Sequence, residues 1–184
     1  RKVDTVARTE MSAAQSAKSM CVFGRSLIGR DLVSHIQMQF PHLSSPLEIR
    51  GKRFKNRMFS SGHQTVLVDN GIPNDALLAY HEARARGGAS LIVTEIGAVH
   101  ETAYFSNHTI QAYNDRCVPG YRRLAEVAHK HDCRILGQLF HPGREVYGVL
   151  PDGRRPVAYG PSAVPGERYL TATRPMSSSL VKEI

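Results

Sequence analysis

Arg134-Ile135-Leu136-Gly137-Gln138-Leu139-Phe140-His141-Pro142-Gly143-Arg144 is an apolar strand that delivers a glutamine and then a His-Pro-Gly-Arg turn to one end. An amide, an imidazole and a guanidinium at the exit of a strand suit holding a polar, planar ligand, so the stretch reads as a cofactor seat. The plainer alternative is a strand followed by a common Pro-Gly turn. The surrounding chain decides between them.

Upstream, a second continuous apolar run, Ala89-Ser90-Leu91-Ile92-Val93-Thr94, leads into Glu95-Ile96-Gly97. Before it, Asn74 is placed to cap a helix through Leu77, Leu78, Tyr80 and His81 that stops at Gly87-Gly88. Between the two strands the spacing predicts a helix from about Val118 to His131, with Leu124, Val127 and Ala128 on one face. A first strand is expected at Asn56-Arg57-Met58-Phe59-Ser60-Ser61, after a short hairpin of Leu47-Glu48-Ile49 and Arg53-Phe54-Lys55 around Arg50-Gly51-Lys52. Continuous apolar strands alternating with helices are the mark of βαβ units in a parallel sheet buried on both faces. The fold class is therefore α/β. Residues 142 to 175, rich in Pro, Gly and Arg, read as a long functional loop after the third strand, and Ser177 to Ile184 as the start of another helix.

The 184 residues suffice for a domain with a sizeable core, and no apolar run approaches the roughly 20 residues of a membrane span. No membrane partner is expected. Cys21, Cys117 and Cys133 are scattered without CxxC spacing, which suggests neither a disulfide framework nor a zinc site and fits a reducing, cytoplasmic setting. The net charge of +8 is concentrated before residue 60, and beyond it the charges nearly cancel, so nucleic acid is not expected as a partner. Residues 1 to 36, rich in Ser, Ala and Arg and without a clear period, read as an unstructured or mis-extended segment. A transit peptide is the competing reading. Asp4, Glu10 and Asp31 count against it, and the expectation is that translation begins at Met38.

In parallel α/β architectures ligands sit at the carboxyl ends of the strands. Each strand here ends in polar or backbone-permissive residues: Ser61-Gly62-His63, then Glu95-Ile96-Gly97, then Gln138 and His141. A doubly wound nucleotide fold would carry GxGxxG or GxxxxGK[ST] after its first strand, and neither occurs there. A barrel is the better reading. His63 alone is as readily a solvated strand end, and Glu95 a loop cap or the partner of an arginine. His108, His129 and His131 lack metal-ligand spacing with an acid or cysteine, so no metal site is expected. No serine sits in a GxSxG elbow.

With these motifs in place, residues 39 to 184 resemble the N-terminal part of the Old Yellow Enzyme family of FMN-dependent oxidoreductases, most closely its 2,4-dienoyl-CoA reductase and trimethylamine dehydrogenase branch. The resemblance is carried by Phe40-Pro41-His42-Leu43-Ser44-Ser45-Pro46-Leu47, Lys55-Asn56-Arg57-Met58, Gly88 to Glu95, and Gln138-Leu139-Phe140-His141-Pro142-Gly143-Arg144. Gly160-Pro161-Ser162-Ala163 followed by Arg174-Pro175-Met176 matches the family's loop before the third helix.

The resemblance implies that residues 37 to 184 form the N-terminal portion of an FMN-binding (β/α)8 TIM barrel, with about the first three βα units present. Ser61, Gly62 and His63 match the segment lying along the flavin through backbone groups, and Ile96 falls where the family usually has Gly or Ala near the ring. Gln138 matches the glutamine that hydrogen-bonds the pyrimidine edge of the isoalloxazine. An amide suits that place because it both donates and accepts. Gln64 stands where the trimethylamine dehydrogenase branch has a flavin-linking cysteine, so a covalent flavin is not expected. The catalytic residues and the phosphate seat are expected beyond Ile184, as is any iron–sulfur cluster. The implied activity is NAD(P)H-driven reduction of an activated alkene, or a related flavin-dependent amine oxidation, on a small-molecule substrate. The competing expectation is an inactive truncated remnant or interaction fragment. Oligomeric state has no sequence signal.

Overall fold

The structure is a computed structural model that describes residues 39–184, and the expectation for residues 1–36 falls outside them. The chain divides at Ser45 into two units. The described part of the first, residues 39–45, includes the single turn α1 (Pro41–Ser44), with proline in its first turn, where a missing N–H costs nothing. The second unit, Pro46–Ile184, holds the sheets and the remaining helices.

It opens with the expected hairpin. Strands β1 (Leu47–Ile49) and β2 (Lys52–Phe54) pair antiparallel, with Ile49 opposite Lys52. Arg50 and Gly51, at φ +48° and +70°, form the two-residue turn between them. Positive φ at both central positions matches the right-handed twist of the flanking strands.

A three-stranded parallel sheet follows, in the order β3 (Phe59–Ser60), β4 (Leu91–Ala98), β5 (Arg134–Phe140). β3 is shorter than the expected run from Asn56. The reason is Asn56 itself, whose amide donates to Gly88 O at 2.8 Å and accepts the Met58 N–H at 2.9 Å. Local side-chain bonds of this kind take the backbone away from a strand ladder. β4 runs past its expected end at Thr94, through the residues read as its exit. A register shift between Val93 and Ile96 lets Thr94 and Glu95 bulge within the strand.

Helices α2 (Asp75–Arg86) and α3 (Val118–His129) supply the crossovers. Asn74 caps α2 as expected, its Oδ1 accepting the Leu77 N–H at 3.1 Å while its Nδ2 donates to Leu67 O. Gly88, at φ +107°, follows the helix in a conformation that a side chain would strain. The buried face of α3 carries Gly120, Leu124 and Ala128 at the spacing of one helical turn, and Val127 packs beside them.

The core lies between these helices and one face of the sheet. Leu77, Leu78 and Leu124 meet Val68 and Ile110 in one cluster, and Ala85 and Ala128 meet Ile92 in another, with Ile135 touching both. The opposite face departs from the expectation of a sheet buried on both sides. Phe59 is 63% and Leu136 55% exposed there, because three strands curl only part of the way round a barrel. The hairpin covers the amino end of this face, with Arg134 Nε donating to Arg53 O at 2.9 Å. A cavity of about 290 Å³ remains between them, lined by Leu47, Ile49, Phe54, Phe59, Leu91 and Val93.

The segment 142–175 is more ordered than the long loop its composition suggests. Strands β6 (Ala158–Gly160) and β7 (Thr173–Pro175) pair in parallel within it, tied to the Gly143–Glu145 turn by Glu145, whose carboxylate accepts the Glu167 and Arg168 N–H groups. Helix α4 (Ser178–Glu183) follows, with Ser177 as its cap.

Candidate functional site

The carboxyl ends of β3, β4 and β5 converge as the parallel sheet requires, and three of the five expected site residues meet there. Ile96 and Gln138 are register partners on β4 and β5. Gly62, just past β3, lies against Gln138. A Cβ built on Gly62 would stand 2.3 Å from Gln138 Oε1 and 2.8 Å from Thr94 O, so the position admits no side chain. Gln138 Oε1 is buried there without a hydrogen-bond partner. An unpaired buried acceptor costs roughly 1–3 kcal/mol, which a donor on a bound molecule would recover.

Ser61 is exposed beside this group. The His63 side chain turns outward to helix α2, where Nε2 hydrogen-bonds the Tyr80 hydroxyl and the rings meet edge to face at 5.5 Å. His63 thereby anchors the Ser61–His63 segment to α2. Arg84 completes this cluster by stacking its guanidinium 3.2 Å above the Tyr80 ring.

Next to Tyr80, His81 is 2% exposed, and neither ring nitrogen has a partner. Burial, with help from the Arg84 and His63 charges, pushes its pKa down to about 4. The unfolded chain therefore binds a proton at His81 near pH 6.5 that the folded chain refuses until about pH 4. Stability from this site is complete above pH 6.5 and is lost as pH falls toward 4. His81→Phe is expected to flatten that slope in denaturant-unfolding free energies measured across the window. An unchanged slope would show that His81 is not its source.

The trio at the exit of β5 does not converge. His141 turns to Thr102 and the Gly143 N–H, while Arg144 pairs with Glu167 at 3.2 Å and Glu145 at 3.7 Å. Gln138 alone of the three faces Gly62. Glu95 resolves as a loop cap: its Oε2 accepts the Thr65 N–H at 2.7 Å and the Thr65 hydroxyl at 2.5 Å, holding the segment after His63. The neighbouring Tyr121 hydroxyl covers Gly97, and burial, reinforced by Cys117 and Glu95, raises its pKa to about 12. Thr65, Tyr80 and Thr102 carry no motif, so only the folded chain shows them at the site. Among the described residues no three His, Cys, Asp or Glu side chains are placed to hold a metal ion, and no helix is long and apolar enough to cross a membrane.

Comparison with known proteins follows the same outline. A sequence profile of the NADH:flavin oxidoreductase / NADH oxidase family matches residues 42–184. An NADPH dehydrogenase of Listeria monocytogenes is 31% identical over 144 residues, covering 77% of this chain and 41% of that enzyme. An NADH oxidase of Thermoanaerobacter brockii is 30% identical over 147 residues, 79% of this chain and 22% of the oxidase. The chain thus spans less than half the length of these relatives. Among solved structures, 2-naphthoyl-CoA reductase superposes with a TM-score of 0.69 at 25% identity, over 77% of this chain and 23% of that one. Morphinone reductase gives 0.69 at 23% identity over 78% and 43%, a likeness of fold. These matches do not single out the 2,4-dienoyl-CoA reductase and trimethylamine dehydrogenase branch. They agree with the parallel strands and crossover helices described above, and on that combined ground the chain belongs to the NADH:flavin oxidoreductase family, the Old Yellow Enzyme family, and covers the N-terminal part of its barrel.

Proposed function

We propose that the intact protein is an FMN-dependent NAD(P)H oxidoreductase acting on a small molecule, and that residues 37–184 supply one wall of its flavin site. The observation that carries this reading is the unpartnered Gln138 Oε1 lying on the bare backbone of Gly62 at the carboxyl face. A buried acceptor without a partner fits the polar edge of a flavin, and the bare Gly62 backbone is what lets Gln138 sit there. Held there, FMN would supply hydride-transfer chemistry, with NAD(P)H as donor and an activated alkene as acceptor, or with an amine as donor in the related reaction.

The residues present bind and orient. The Gln138 amide holds the pyrimidine edge and tunes the flavin's electronics. Gly62, having no side chain, leaves the room that Gln138 occupies. Ile96, in register with Gln138, covers the same face and excludes water. Ser61 and His63 contribute backbone, with His63 pinned by Tyr80. We place the enzyme in the cytoplasm, in keeping with the free cysteines Cys117 and Cys133, and assign it no nucleic-acid partner.

The exposed inner face, with Phe59 and Leu136 uncovered, favours a second reading: an interaction fragment without catalysis. Titrating purified intact protein with FMN while following flavin fluorescence, then adding NADH or NADPH anaerobically, separates the two. Saturable binding and bleaching of the oxidised flavin's visible absorbance are expected. A protein that neither retains FMN nor reduces it would overturn the enzyme reading.

A further inference from the structure

The loops after β4 and β5 are joined by a chain of hydrogen bonds that the flavin reading does not use. His141 Nδ1 accepts the Gly143 N–H at 2.9 Å, and His141 Nε2 lies 3.0 Å from Thr102 Oγ1. Thr102 Oγ1 in turn lies 2.8 Å from His100 Nδ1, which also takes the Thr102 N–H at 3.2 Å. The far nitrogen, His100 Nε2, is 3.5 Å from Glu183 Oε1 on α4.

The two backbone donors dictate where every proton sits. A neutral imidazole has one N–H and one acceptor nitrogen. Because His141 Nδ1 accepts from Gly143, its proton is on Nε2 and is donated to Thr102. The threonine hydroxyl then gives its own proton to His100 Nδ1. That nitrogen is already the acceptor of the Thr102 N–H, so the His100 proton lies on Nε2, toward Glu183. A cationic His141 would have to put an N–H on Nδ1, against the N–H of Gly143.

We propose that His100, Thr102 and His141 form a neutral-imidazole clamp that fixes the His-Pro-Gly-Arg turn to the loop after β4 as one rim of the site, and that acidification opens it. What the clamp holds is extensive. The Gly143–Glu145 turn it anchors accepts Thr171 Oγ1 at Arg144 O and, through Glu145, the N–H groups of Glu167 and Arg168. Freeing the turn therefore loosens its bonds to Glu167, Arg168 and Thr171 within the 142–175 segment. His100, Thr102 and His141 act here as positioning residues.

The charges around the chain set the sign of its response. Burial first, and His100 second, hold the His141 pKa below its ordinary value. Glu183, opposite His100, is 67% exposed, and Glu101 beside it is exposed too, so solvent screens both. Arg144 is turned to Glu145 and Glu167. The folded state thus favours neutral His141. The clamp's contribution is complete above about pH 6.5, the ordinary histidine value, and is lost as pH falls through the lowered folded value.

The test is histidine 15N NMR of the intact protein across pH, with amide exchange at Gly143. His100 and His141 are expected as Nε2–H tautomers at pH 7, with a His141 midpoint below that of free histidine. Thr102→Val is expected to speed Gly143 exchange at least tenfold, while Thr102→Ser keeps the wild-type rate. An Nδ1–H tautomer at His141 in the wild-type protein, or a Thr102→Val variant with unchanged Gly143 exchange, would overturn the clamp. The clamp stands on its hydrogen bonds alone, and only its influence on flavin rests on the reading above. Expected tautomers in a protein that takes up no FMN would count against the flavin and leave the clamp supported.

Discussion

Replacing Gln138 by leucine in the intact protein is expected to weaken FMN binding by roughly 5- to 150-fold, the equivalent of about 1–3 kcal/mol. The thermal midpoint of the unliganded protein should rise, not fall. Leucine is close to glutamine in bulk, so the strand keeps its packing, but it can neither donate nor accept at the flavin's polar edge. In the unliganded chain the substitution even removes an orphaned acceptor, since Gln138 Oε1 is buried without a partner. Affinity and stability therefore move in different directions, which separates a ligand-holding residue from a structural one. The reduction potential of the bound flavin should shift as well, because hydrogen bonds along that edge tune its electronics. Fluorescence titration, a dye-coupled potential measurement and a melting curve check the three parts. Unchanged affinity and potential would remove Gln138 from the site.

Gly62→Ala attacks the same point from the segment after β3, with the opposite balance. Its new methyl would stand 2.3 Å from Gln138 Oε1 and 2.8 Å from Thr94 O. The glutamine can swing aside, but the Thr94 carbonyl belongs to the bulge of β4 and cannot. The expected cost is about 1–3 kcal/mol of stability from overpacking, together with loss of FMN affinity as Gln138 is driven off the position that suits the ring. Combining Gly62→Ala with Gln138→Ala should relieve only the part of the destabilisation owed to the side-chain clash. A coupling free energy of about 0.5–3 kcal/mol between the two sites is expected from a double-mutant cycle of denaturant midpoints. Full additivity would mean that the two residues do not meet.

The elements legible before folding are those whose causes are local in sequence. Asn74 three residues before Leu77, the Gly87-Gly88 stop and the Leu124/Ala128 spacing specify α2 and α3 through contacts within a turn or two of helix. Arg50-Gly51 makes the hairpin by backbone conformation alone. Apolar runs separated by such helices imply parallel strands, and parallel strands imply a site at their carboxyl ends, which points to the stretches 61–63, 95–97 and 138–141, while the choice of Gly62, Ile96 and Gln138 within them rests on the family resemblance. Tertiary structure decided the rest, because the partners are remote. β3 is cut short by a bond from Asn56 to Gly88, thirty-two residues on. β4 outruns its apolar run because pairing with β5 tolerates a bulge at Thr94 and Glu95. β6 and β7 find each other inside a stretch whose Pro and Gly content reads as loop. His141, read as a ligand-facing imidazole, is claimed by Thr102, thirty-nine residues away. A hydrogen bond satisfies any donor with any acceptor within reach, so residue type reveals that a partner is needed, and only the folded chain reveals which one is taken.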